Sequence, residues 1–260
     1  MPSESCDPRP VIVLVRPQLG ENIGAACRAM LNFGLEEMRI VSPRDGWPNP
    51  AAEAMASGAG SVLRKVEIFE STEDALFDLH FVMATTARRR DLTKDVLSPE
   101  DAVNRSTRVA RHGMRSGLLF GPERSGLENS EVVLANCLVT IPVNPAFPSL
   151  NIAQSVVLLA YEWWKKQDRI AHASGYDVDQ RNGALDSRPV DGATFSEVQH
   201  FSERLECTLD QRRFFEPSEK SARMKLILRN LISRLPLTSP DVRLLHGILG
   251  CLSRTSQDPN

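Results

Sequence analysis

The sequence predicts an α/β fold, a mostly parallel sheet flanked by helices, followed by a small all-helical C-terminal segment. Three observations predict it. "VIVLV" at Val11–Val15 is a continuous aliphatic run rich in β-branched residues, the mark of a strand buried on both faces. From there to about residue 166, short apolar runs alternate with helix patterns, as successive βα units do. Residues 167–192 are polar, turn-rich and aperiodic, and only helical periodicity follows them.

Each element has a local reason. After the first strand, Asn22 is placed to cap a helix carrying Ala25, Ala26, Ala29 and Met30, which stops near Gly34. "MRIVS" reads as the next strand and "AAEAMASG" as a helix opened by Pro50. Ser71-Thr72-Glu73-Asp74 offers capping chemistry to a short helix before the strand "HFVMATT". Ser98-Pro99-Glu100-Asp101 combines a cap, a first-turn proline and acids at the positive end of a helix dipole. The strand "GLLFG", a helix through Val132 to Ala135, the strand "CLVTIPV" and a helix from about Leu150 complete the alternation. Thr194-x-x-Glu197 is a capping box that opens the helical segment. The expected units are residues 1–166, a linker over 167–192 and a helical extension over 193–260, with helices near 195–209, 218–235 and 240–253.

Composition narrows the function classes. With 42% hydrophobic and 25% charged residues, 260 residues build one large domain, or a large and a small one. A net charge of -2 gives no global attraction to nucleic acid, so any polyanion site must be a local patch. Five scattered cysteines without a C-x-x-C pair argue against a disulfide framework and a zinc site, and for a reducing cytoplasm. The start "MPSESCDPRP", acidic and proline-rich, is not expected to be a signal peptide, and no apolar run approaches the ~20 residues of a membrane span. No membrane is therefore expected, and the five histidines have no metal-ligand spacing, so no metal is expected either. Gly58-Ala59-Gly60 imitates a dinucleotide fingerprint, but the third glycine position is Leu63 and the context is helical. Ser125 is out of register for a nucleophile elbow.

Ligands of open α/β sheets sit at the carboxyl ends of the strands, and the unusual loops of this chain fall there. The first, "RPQLGENIGAACR", carries Asn22, Gly24 and Arg28. The second, "GPERSGL", holds Glu123 and Arg124 at the tip of a Gly-Pro kink. The third, "IPVNPAFPSLNIAQS", is stiffened by prolines and delivers Ser149, Leu150 and Asn151 to a helix start. A fourth, "ATTARRR", follows another strand. Taken singly, Asn22 and Ser149 read better as caps and Gly121-Pro122 better as a plain turn. Capping does not call for Arg28, Glu123 and Asn151 together.

The three ordered motifs, N-x-G-x-x-x-R, L-x-F-G-P-E-x-x-G-L and I-P-x…S-L-N-x-A, resemble those of the SPOUT-class (TrmH superfamily) RNA 2′-O-ribose methyltransferases, and their spacing is that of the TrmJ-type branch. The likeness covers residues 11 to about 164; the helical tail is similar to the TrmJ-type C-terminal extension in helix pattern only. The resemblance implies a trefoil knot in the C-terminal part of the α/β domain and S-adenosyl-L-methionine held there by Thr85, Thr86, Ala87, Gly121, Glu123, Ile141, Ser149, Leu150 and Asn151. It implies a homodimer through the apolar helix from Leu150, and transfer of the methyl group to a tRNA ribose 2′-hydroxyl, at the first nucleotide of the anticodon loop. Ribosomal RNA, another tRNA position, or a catalytically silent RNA-binding module are the alternatives.

On that resemblance Arg28, Asn22, Ser149 and Asn151 are the catalytic candidates. A guanidinium is never deprotonated in proteins, so Arg28 is expected to hold phosphate and stabilise charge on the 2′-oxygen. Glu123 is expected beside the cofactor's cationic sulfonium, and the glycines are expected to let the ligand approach backbone closely. Where relatives often have Gly-Thr-Ser-Ala, the fourth loop has Ala84-Thr85-Thr86-Ala87, which keeps the hydroxyl. RNA contacts are expected from Arg88, Arg89 and Arg90, and from Arg212, Arg213, Lys220, Arg223 and Lys225 in the tail, a cluster that reads equally as a solvated helix face. Deleting the chain after Gln167 is expected to spare the cofactor site and weaken tRNA binding.

Overall fold

The computed structural model describes residues 9–86, 93–172 and 192–254. A seven-stranded parallel sheet runs in the order β3-β2-β1-β6-β4-β7-β5. Its strands are β1 (Val11–Val15), β2 (Met38–Val41), β3 (Glu67–Phe69), β4 (Phe81–Thr85), β5 (Val96–Leu97), β6 (Ser116–Phe120) and β7 (Cys137–Val139). The two edge strands, β3 and β5, were not expected. Each has two or three residues and no buried one, so neither carries the apolar run that marks a central strand.

The central strands alternate their side chains between two cores. Ile12, Leu14, Met38, Ile40, Phe81, Met83, Leu118 and Phe120 face one side. That side is covered by α1 (Gly20–Asn32), α2 (Pro50–Ala56), α5 (Pro99–Arg111) and α7 (Ile152–His172). Val11, Val13, Val15, Val82, Ala84, Leu119 and Leu138 face the other, against α4 (Thr72–Leu76) and α6 (Asn129–Val132). Burial on both faces is why β1 reads as an unbroken aliphatic run, with roughly 1.5–3 kcal/mol for each large side chain removed from water.

The caps at Ser71 and Ser98 form as expected, each hydroxyl accepting from the backbone N–H three residues on. Asn22 does not cap α1. The helix begins two residues earlier, Leu19 stands at the cap without a side-chain bond, and the Asn22 side chain is released for another use. α6 lies over Asn129–Val132 rather than Val132 to Ala135, because Glu128 and Glu131 form a capping box upstream. Gly24 is a packing residue. A Cβ there would stand 2.3 Å from the Ala52 carbonyl oxygen, so the glycine lets α1 and α2 cross in direct backbone contact.

Helix α7 continues to His172, so residues 167–172 are helical rather than linker. The remainder of that expected linker, 173–191, lies outside the described residues. The tail forms α8 (Phe195–Gln211), α9 (Ser218–Ser233) and α10 (Ser239–Arg254) around Phe201, Ile232, Val242 and Leu249. It docks on the amino ends of β4, β7 and β5. Phe195 N donates to Leu79 O at 2.7 Å, Asn136 Nδ2 to Ser233 O at 2.8 Å, and the buried Lys94 Nζ to Ser233 Oγ at 2.7 Å. The same end of the sheet carries an ion network in which buried Arg39 meets Glu37 and Asp78, and Arg115 meets both acids again.

Candidate active site

The opposite end of the sheet is built from loops. Chain leaving β6 kinks at Gly121-Pro122 and turns back on itself, with Gly126 N donating to Pro122 O at 2.8 Å and Gly126 at φ +66°. A Cβ on Gly121 would lie 2.1 Å from Leu127 N. Gly121 therefore serves the loop's own return as well as lining the cavity where a ligand was expected. The kink sends Glu123 across to the first motif. Its carboxylate accepts from Gln18 N and from Asn22 Nδ2, both at 2.8 Å.

From Glu123 a single hydrogen-bonded chain runs through all three motifs. Asn22 Oδ1 accepts from Asn151 Nδ2 at 2.8 Å, and Asn151 Oδ1 accepts from Ala153 N at 2.8 Å, capping α7. The polarity of this chain is forced. A carboxylate only accepts, so Asn22 must turn its amide nitrogen to Glu123 and its oxygen to Asn151. Asn151 must then donate its nitrogen, leaving its oxygen for the helix N-terminus. Glu123 is thus a tie between loops, with both carboxylate oxygens engaged by the first motif.

These loops enclose a cavity of about 270 Å³, near the low end of small-ligand pockets. Of the expected cofactor residues, Thr85, Thr86, Gly121, Glu123, Ile141, Ser149 and Leu150 line it. Thr85 Oγ1 donates to Leu119 O at 2.7 Å, and Thr86 N to Val139 O at 3.0 Å, which fixes the wall between β6, β4 and β7. Asn151 and Asn22 do not line the cavity; they stand behind its wall as the tie. Arg124, noted at the tip of its loop but given no role, also lines it, as do Pro148 and Ser155, which sit inside or beside a motif already quoted. Ala87, Arg88, Arg89 and Arg90 lie outside the described residues.

Arg28 is exposed on α1 and does not line the cavity. Six residues beyond Asn22, it lies about 9 Å further along the helix and on another face. Among the described residues it has no ion-pair partner. In the tail, Arg212 donates to Leu252 O, Arg213 lies 3.8 Å from Glu216, and Lys225 lies 3.4 Å from Asp210 with its ammonium over the Phe215 ring. Part of that basic cluster is spent on holding the tail together, while Lys220 and Arg223 are exposed. Burial pushes the Cys27 thiol up to about 12, so it stays protonated and unreactive. No group of three His, Cys, Asp or Glu among the described residues could hold a metal ion, and no described helix is long and apolar enough to cross a membrane.

The fold and the site define a parallel α/β protein whose ligand cavity is assembled from motif loops at the carboxyl ends of β4, β6 and β7. Comparison with known proteins carries this further. The SpoU rRNA methylase family model matches residues 9–161, and the chain belongs to that family of methyltransferases. It is 44% identical to TrmJ from Z. mobilis ZM4, whose crystal structure superposes with a TM-score of 0.81 over 94% of this chain and 98% of that one. It is 33% identical to the tRNA (cytidine/uridine-2′-O-)-methyltransferase TrmJ of Pectobacterium atrosepticum, over 95% of this chain and 98% of that protein. A third relative, the tRNA (cytidine/uridine/adenosine-2′-O-)-methyltransferase TrmJ of Pseudomonas aeruginosa, is 31% identical over 92% and 91% of the two chains.

Proposed function

We propose that this chain transfers the methyl group of S-adenosylmethionine to a ribose 2′-hydroxyl of tRNA, at the first nucleotide of the anticodon loop. The observation that carries the reading is one cavity lined by the second and third motifs and by Thr85 and Thr86, with the first motif tied to its wall by the Glu123–Asn22–Asn151 chain. The cavity walls supply what a cofactor with an adenine, a ribose and an amino-acid arm requires: apolar Ile141 and Leu150 and polar Thr85, Thr86 and Ser149. When bound, S-adenosylmethionine supplies the electrophilic methyl group, and the protein's part is orientation and electrostatics. Ser149 is the cavity residue free to orient the hydroxyl, and Asn151 fixes the loop that presents it. The trefoil knot implied by the sequence motifs belongs to this reading, since the loops following β6 and β7 meet at the cavity.

Arg28 is too far around α1 to serve the cavity of its own chain unaided, which favours a homodimer. The face of α7 supports the same arrangement. Val156, Leu159, Ala160 and Trp163 are buried in the sheet, while Val157, Leu158, Tyr161 and Trp164 are exposed and require cover. RNA would then reach the cavity with phosphates held by Arg28 and by exposed cations such as Lys220 and Arg223. A tRNA substrate favours a cytoplasmic location.

The decisive experiment is transfer of labelled methyl from S-adenosylmethionine to bulk tRNA, followed by mapping of the modified ribose. Incorporation into ribosomal RNA alone, or at another tRNA position, replaces the substrate; no incorporation into any RNA leaves only a binding module.

A further inference from the structure

Phe147 is 75% exposed, the highest value among the large hydrophobic side chains of the described residues. Scattered exposed apolar residues are ordinary on protein surfaces, but this one is presented rather than left over. It is flanked by Pro145 and Pro148, whose rings fix the backbone on either side. Asn144 closes the turn beneath it, its side-chain oxygen accepting from Ala146 N at 3.0 Å and its carbonyl from Phe147 N at 2.9 Å. The next residue, Pro148, is part of the cavity wall, so the ring stands at the rim. On another loop of the same cavity, Arg124 is exposed and has no ion-pair partner among the described residues. A rigid aromatic face and an unpaired cation beside one cleft match the two halves of a nucleotide, a flat base and a phosphate.

We infer that Phe147 is the platform on which an unstacked base of the RNA substrate lies, the target base or its neighbour, while Arg124 meets an adjacent phosphate. The inference rests on the proposed RNA methyl transfer and assigns a positioning residue to it. A stacking platform reads a π-face and not a hydrogen-bonding edge, so it admits any base and sets position more than identity. A protein surface would bury the ring by shape and hydrophobicity, and leucine would then serve nearly as well.

Three variants test this in the full-length chain. Phe147→Ala is expected to raise the KM for tRNA about tenfold, as loss of one stacked base does, with kcat and cofactor affinity within about twofold of the parent. Phe147→Leu is expected to be as impaired as alanine, and Phe147→Trp to restore the parent KM. The tryptophan variant is also expected to lose indole fluorescence, beyond the change seen in the parent, when a single-stranded RNA oligonucleotide is added. Unchanged KM in Phe147→Ala, full function in Phe147→Leu, or a KM defect that tracks loss of a dimer in sedimentation overturns the platform. The fluorescence arm needs no turnover. If the chain methylates no tRNA, RNA-dependent quenching still upholds the platform and absence of quenching refutes it, so the two readings fail separately.

Discussion

The two ends of the sheet are made for different tasks. At the amino end, backbone and charge are used up: Arg39 and Arg115 share Glu37 and Asp78, Lys94 is buried under the tail, and Phe195 bonds to the chain just before β4. At the carboxyl end, Arg124 and Ser149 line an open cavity without an ion-pair or side-chain hydrogen-bond partner among the described residues, and one thread of hydrogen bonds holds its loops in place. The difference teaches that charge near a strand end is not by itself a site. The buried arginine is structural because it is satisfied, and the exposed Arg28 and Arg124 are available because they are not.

The largest break in this contrast comes from Arg28→Ala. Turnover on tRNA is expected to fall about 100-fold or more, with cofactor affinity by titration calorimetry and melting temperature near the parent values. Unchanged methylation removes Arg28 from the mechanism. Glu123→Gln cuts the thread more gently. One face of the new amide must point a donor at Gln18 N or Asn22 Nδ2, so cofactor affinity is expected to weaken about tenfold. Equal affinity in that variant means the loops hold without the tie.

At the other end, a chain ending at His172 is expected to lose tRNA affinity and several degrees of melting temperature, because Leu79 and Val82 lose their cover. Its cofactor affinity is expected to stay within about twofold, since the cavity lies at the far end of strands some 17 Å long. A large loss of cofactor binding would show that the two ends are coupled. The smallest effect concerns Lys94. Burial lowers its amine from 10.5 to about 7. Between those values the unfolded chain keeps a proton that the folded chain has released, so stability rises with pH across that window, by up to about 1.4 kcal/mol per pH unit. Thermal melts of Lys94→Met are expected to lack the rise between pH 7 and 9 that the parent shows; parallel profiles would contradict the assignment.

Much of this contrast was legible in the chain. The aliphatic run of β1, the serine caps at Ser71 and Ser98, the Thr194–Glu197 box and the three motif loops are written in adjacent residues. The edge strands β3 and β5 escaped because a strand with one exposed face and three residues or fewer leaves no pattern. Asn22, read also as a cap, instead bonds Glu123 and Asn151, and Gly121 serves the return of its own loop besides lining the cavity. A cap and a hydrogen-bonded relay want the same side chain, and a loop folding onto itself wants the same glycine as a ligand pressing against it.

Sequence alone determined the alternation of strands and helices and the cap chemistry at Ser71, Ser98 and Thr194, since these depend on residues within a turn or a loop of one another. Tertiary structure alone decided that Glu123 bonds to Asn22, 101 positions away, and Asn151 to Asn22, 129 away. It decided too that Lys94 lies beneath Ser233. Such pairings follow from which strands become neighbours and how deeply water is excluded between them, and neither is encoded by any local run of residues.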